Sequence, residues 1–210
     1  SERLESFMFS AVELSKLALH YGNAKGRIDI SAFGDPDKQP RGNSHTIATT
    51  TFCRTSSCYD HEWSGNAVYM CPPMTLFETH KALKKALMEF MLKPQTTRII
   101  AVIRDAKHTP YQNLIDEFQI LKRYGKGTKH VFCVPDKYAL TGEIEVAGES
   151  HGGADGHVWV KEMPFDILVL YKDASTVMQA NDMIVTHMVV AHFDNEHIIK
   201  AEEQGVQLPF

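Results

Sequence analysis

A chain of 210 residues, 43% hydrophobic, 23% charged and 10% aromatic, can build one sizeable core and is too apolar for wholesale disorder. A formal net charge of −4 argues against coating nucleic acid by bulk charge, and four cysteines without a close CxxC pair argue against a disulfide-stapled mini-protein. The longest apolar runs, about five or six residues, fall far short of the roughly 18 needed to cross a bilayer, so no membrane partner is expected.

Unpaired cysteines predict reduced thiols in an intracellular protein of unspecified compartment. No secretory leader is read at the start, although a chain opening on Ser1 leaves room for a segment upstream. Residues 4–21 read as an amphipathic helix with Leu4, Met8, Ala11, Val12 and Leu19 near one face, stopped by Gly22 and Asn23. A short strand follows at 27–31, then a polar loop from Phe33 to His45, and a further strand at 47–52.

From Asn66 the pattern becomes regular. Residues 67–71 form a strand that Pro72 and Pro73 end, since neither proline donates to a ladder. Residues 75–92 predict a helix with Leu76, His80, Leu83, Leu87 and Met91 on one side, and residues 98–103 an apolar strand. Residues 110–123 predict a second helix, with Pro110 in its first turn and Gly125 beyond its end. Strands are expected at 129–134 and 165–171, antiparallel to each other, with a Gly-rich excursion between them. A helical tail at 174–204 completes one domain spanning 1–210, with its core at 27–172. The alternation predicts an α/β fold whose mostly parallel sheet ends in an antiparallel strand pair, with helices on both faces.

Cys71-Pro72-Pro73-Met74 ends a strand just before a helix. Ligands of open α/β sheets bind outside the carboxyl ends of the strands, so this turn lies where chemistry is expected. By spacing alone it also fits a plain strand-to-helix connection. Together with Ser31-Ala32-Phe33, Val102-Ile103-Arg104, the Pro110 segment, residues 124–127 and the strand before Lys172-Asp173, the turn resembles the adenine and adenosine N6-methyltransferases. It is most similar to the cap-adenosine type related to the phosphorylated-CTD-interacting factor.

That resemblance implies a Rossmann-like methyltransferase fold, S-adenosylmethionine as cofactor, and Cys71, Pro72, Pro73 and Met74 as the catalytic turn. Asp29, Ser31, Phe33 and Asp35 become the cofactor-binding candidates, although a solvated turn at Gly34-Asp35-Pro36 fits as well. In the family, an Asn or Asp oxygen at the first motif position and the first proline's carbonyl accept the two N–H hydrogens of the adenine amine. An aromatic ring at the fourth position stacks on the base. Here Cys71 offers only a weak thiol acceptor, and Met74 has no ring.

The leading expectation is therefore a domain that has lost catalysis and serves as a structural or RNA-associated subunit. The alternatives are an active S-adenosylmethionine-dependent N6-adenosine methyltransferase and an unrelated α/β binding domain. RNA contact would fall to Lys81, Lys84, Lys85, Lys93, Arg104, Lys107, Lys122, Arg123, Lys126 and Lys129, or those residues form a solvated face. A protein partner would take the tail. Cys53, Cys58, His61 and Cys71 are metal-ligating types at no finger or ribbon spacing, so no metal site is expected. The run 151–157, with two histidines among glycines, reads as a surface loop or a substrate lid.

Overall fold

The computed structural model describes residues 7–33, 48–51, 58–105, 111–135, 146–150 and 157–176. The protein is α/β with two mixed or antiparallel sheets. The strands are β1 (Met8–Phe9), β2 (Ile28–Ser31), β3 (Ala48–Thr51), β4 (Ala67–Met70), β5 (Arg98–Arg104), β6 (Gln119–Tyr124), β7 (Phe132–Pro135), β8 (Val146–Ser150), β9 (His157–Val160) and β10 (Ile167–Lys172). The helices are α1 (Ala11–Tyr21), α2 (Leu76–Leu92) and the short α3 (Gln112–Ile115).

The larger sheet has the order β3-β2-β4-β5-β10-β6. β3, β2, β4 and β5 run parallel, and β10 is antiparallel to both its neighbours. β4 and β10 carry continuous apolar runs because both their faces are covered, and so does the interior of β5. Val68, Met70, Ile99, Ala101, Ile103, Leu168 and Leu170 pack against Leu83, Ala86, Leu87 and Phe90 of α2 and Leu114 of α3. Tyr69, Ile100, Val102, Ile167 and Val169 share the other core with Leu14 and Ala18 of α1 and with Phe132, Val134 and Val160 of the second sheet. Helices thus stand on both faces.

Several expectations are corrected. The first helix starts only at Ala11, capped by the Ser10 hydroxyl, which accepts the Glu13 N–H at 3.3 Å; Met8 and Phe9 pair instead with Cys133 and Phe132. Its buried side is Ala11, Leu14 and Ala18, while Val12 and Leu19 are exposed. Gly22 ends α1 where only glycine fits: a Cβ there would lie 2.5 Å from the carbonyl oxygens of Ala18 and Arg27. In α2 the buried stripe runs through Ala82, Leu83, Ala86, Leu87 and Phe90, so Leu76 is left exposed.

The helix expected at 110–123 is only α3, and Gln119–Tyr124 is strand β6, hydrogen-bonded to β10. Its mostly exposed side chains suit a strand with one neighbour, and so polar a segment has no strand-like apolar alternation to read. The segment expected at 129–134 does form β7. It joins β1 and β9 in a second, four-stranded antiparallel sheet of order β1-β7-β9-β8, not the main sheet. The antiparallel partners of β10 are therefore β5 and β6. The loop 151–156 and the tail from 177 onward lie outside the described residues. No described helix is long and apolar enough to cross a membrane.

Candidate functional site at the carboxyl edge of the parallel strands

From β2 the chain moves outward to β3, and from β4 it moves the other way to β5. The order reverses between β2 and β4, and the crevice outside such a reversal is where open α/β sheets bind ligands. Ser31 pairs with Tyr69, and the Ala32 N–H donates to the Tyr69 carbonyl at 2.9 Å, one residue beyond the ladder. Residues 31–33 and 71–74 therefore leave the sheet side by side. Arg104 closes β5 on the next strand.

Cys71 follows Tyr69 by two residues, so both sit on the face covered by the second sheet. Burial pushes the Cys71 thiol up to about 12, against the opposing pull of hydrogen bonds from the Tyr69 hydroxyl and the Phe9 backbone. Burial, together with Cys71, also pushes the Tyr69 hydroxyl up. At neutral pH the thiol is protonated and supplies no anion. Pro72 and Pro73 are buried, and Met74, 1% exposed, belongs to the same core as Val102 and Ile167. The α2 helix then starts with the Thr75 hydroxyl accepting the Glu78 N–H at 3.3 Å.

The expected cofactor residues disperse. The Asp29 carboxylate accepts the Asn23 amide at 2.8 Å and the Ala67 backbone N–H at 2.7 Å. It is thereby drawn to the amino end of β4, away from the edge where Ser31 and Cys71 emerge. Ser31 is buried at that edge. Phe33 stacks edge-on against Tyr59 at 5.7 Å and Trp63 at 6.3 Å. Asp35 lies outside the described residues.

The expected basic surface is only partly a surface. Lys85 is buried and meets Glu89 at 2.6 Å; the other Glu89 oxygen accepts from the backbone N–H groups of Trp63 and Ser64 and from the Ser64 hydroxyl. Lys93 pairs with Glu62 and Arg123 with Asp105. Lys81 lies over the Tyr59 ring and Lys122 over the Tyr124 ring. Lys107 lies outside the described residues, as does Cys53. Cys58 is buried, its carbonyl accepting the Trp63 indole N–H at 3.0 Å. Among the described residues no group of three or more His, Cys, Asp or Glu is placed to hold a metal ion.

At this edge Phe77 was not expected from the sequence, and Arg104 was expected only as one of the basic residues facing RNA and as part of the Val102-Ile103-Arg104 resemblance. Phe77, in the first turn of α2, is 73% exposed beside the turn. Arg104 stacks its guanidinium over the Phe165 ring at 4.5 Å and donates from Nη1 to the Met74 carbonyl at 3.4 Å. An arginine terminating an otherwise apolar buried strand was the available signal. The chain matches no family model and no curated protein.

Proposed function

We propose that this chain is a methyltransferase-like domain that has lost methyl transfer and serves as a structural, RNA-associated subunit of a larger assembly. Four parallel strands followed by a reversed β10 between β5 and β6 support the Rossmann-like part of this reading. The observation that carries it is the state of the turn at the strand-order reversal: a neutral Cys71 thiol where an acceptor oxygen is needed, and a Met74 side chain held in the core.

The exocyclic amine of adenine is a poor nucleophile because its lone pair is delocalised into the ring. Two oriented acceptors are needed to draw it toward a tetrahedral nitrogen. Losing one preorganised partner costs on the order of 10²–10³ in rate. Nor do the described residues make a full site for S-adenosylmethionine. Asp29 is spent on Asn23 and Ala67, and Phe33 is packed on Tyr59 and Trp63, while Ser31 is buried at the edge. RNA association draws support from Lys81, Lys122, Lys126 and Lys129, which are all exposed.

Calorimetric titration with S-adenosylmethionine, paired with a methyl-transfer assay on capped and uncapped adenine-containing RNA, tests the reading. Weak or absent cofactor binding and no transfer above the protein-free control are expected. The active-enzyme alternative rests on the intact Pro72-Pro73 at the end of β4. Transfer that Pro72→Ala abolishes would establish it and overturn the proposal.

A further inference from the structure

Among the described residues the two buried lysines have carboxylate partners. Lys85 meets Glu89 at 2.6 Å and Lys172 meets Glu117 at 3.4 Å. Arg104 differs. It is half-buried, its Nε is covered and has no hydrogen-bond partner, and among the described residues no carboxylate pairs with it. Its support is a cation–π contact with Phe165 and one long Nη1 bond to the Met74 carbonyl. Desolvating a guanidinium without an anion is costly, and a cation–π contact offsets only part of that cost.

The surroundings favour an incoming anion. The carboxylate beside it in sequence, Asp105, is neutralised by Arg123. Cys71 is uncharged at neutral pH, and Pro72, Pro73 and Met74 bring no charge. The amino end of the 17-residue helix α2 opens immediately after Met74, so the positive end of its dipole lies at the same turn. The one carboxylate in that first turn, Glu78, accepts the Tyr59 hydroxyl at 3.3 Å.

We propose that Arg104 is an oxyanion subsite at the carboxyl edge of β5, taking a phosphate through its guanidinium Nη groups with the amino end of α2 beside it. The shared chemistry is a phosphate oxygen pair, carried either by a small phosphate ester or by the backbone of a single strand of RNA. The proposal rests on reading this edge as ligand-binding, and not on the loss of methyl transfer.

The test is binding of inorganic phosphate by calorimetry and of a fluorescently labelled eight-nucleotide single-stranded RNA by anisotropy, to the whole chain and to Arg104→Gln and Arg104→Lys. Wild type is expected to bind at least one probe. Arg104→Gln should weaken that binding about tenfold or more, with Arg104→Lys intermediate because it keeps the charge and loses the fork. For RNA, the slope of log affinity against log salt should also shrink by about 0.7 in Arg104→Gln. Loss confined to inorganic phosphate identifies a small ester as the ligand, and loss confined to RNA identifies the strand. Circular dichroism melts of both variants confirm folding, and phosphate should raise the melting temperature of wild type but not of Arg104→Gln if the small ester is the ligand. Wild type binding neither probe, or a folded Arg104→Gln binding both as wild type does, overturns the subsite. Tight S-adenosylmethionine binding alongside either result would count against the proposed function alone.

Discussion

The Asp29 carboxylate accepts the backbone N–H of Ala67 at 2.7 Å, joining the second residue of β2 to the first residue of β4. Its other oxygen accepts the Asn23 amide at 2.8 Å, and the Asn23 side-chain oxygen in turn accepts the backbone N–H groups of Lys25 and Arg27. One carboxylate therefore ties the turn after α1 to the start of the central parallel strand. Asp29→Ala is expected to destabilise the protein by about 1–3 kcal/mol, the cost of stranding partly buried donors. Urea denaturation checks this. A variant of unchanged stability would remove the structural role and return Asp29 to the ligand candidates.

The Lys85–Glu89 pair makes a larger prediction. With side chains 5% and 1% exposed, removing one partner leaves a buried charge without its counter-ion. Lys85→Ala should cost about 3–5 kcal/mol. Glu89→Gln leaves the Lys85 ammonium without its counter-ion and should cost about as much, although the amide oxygen can still accept from Trp63 and Ser64. Denaturant midpoints check both variants; a loss below about 1 kcal/mol in either would refute this account.

The same pair sets an acid limit. Burial alone would push the Glu89 carboxyl up, but the Lys85 charge and the hydrogen bonds from Lys85, Ser64 and Trp63 together hold it below the usual carboxylate range. A depressed folded value contributes stability that is fully present above the unfolded value near 4.3 and lost as pH falls through the folded one. Wild-type stability should therefore fall steeply below about pH 4, and Glu89→Gln should show a shallower acid slope.

Cys71 should be an inert thiol. With its pKa pushed up to about 12 by burial, its thiolate fraction at pH 8 is smaller than that of an ordinary exposed cysteine by roughly a thousandfold. Iodoacetamide labelling read residue by residue by mass spectrometry should find it correspondingly slow. Labelling at an ordinary rate would show an activated thiol and reopen a chemical role for the turn.

Met74→Phe would introduce the kind of ring that the resembled methyltransferases carry at this place. Because Met74 is 1% exposed within the core, the larger side chain should overpack it and lower stability by about 1–3 kcal/mol. Unchanged stability in urea would mean that residue 74 has open space to face, as a base platform requires.

The amino-acid sequence by itself determined the elements whose signal is local: α2, β5, β10, and the break at Pro72-Pro73 after β4. A strand buried on both faces shows an unbroken apolar run, a helix shows its own period, and two prolines end a ladder wherever they fall. Only the tertiary structure decided that 119–124 pairs with β10 as a strand, and that 132–135 leaves the main sheet for β1 and β9. It also decided that Lys85 turns inward and Asp29 holds Ala67, since Ser64 lies 25 residues from Glu89 and Ala67 lies 38 from Asp29. Strand partners, and the counter-groups of buried charges, are supplied by chain brought near only on folding, and no local periodicity encodes them.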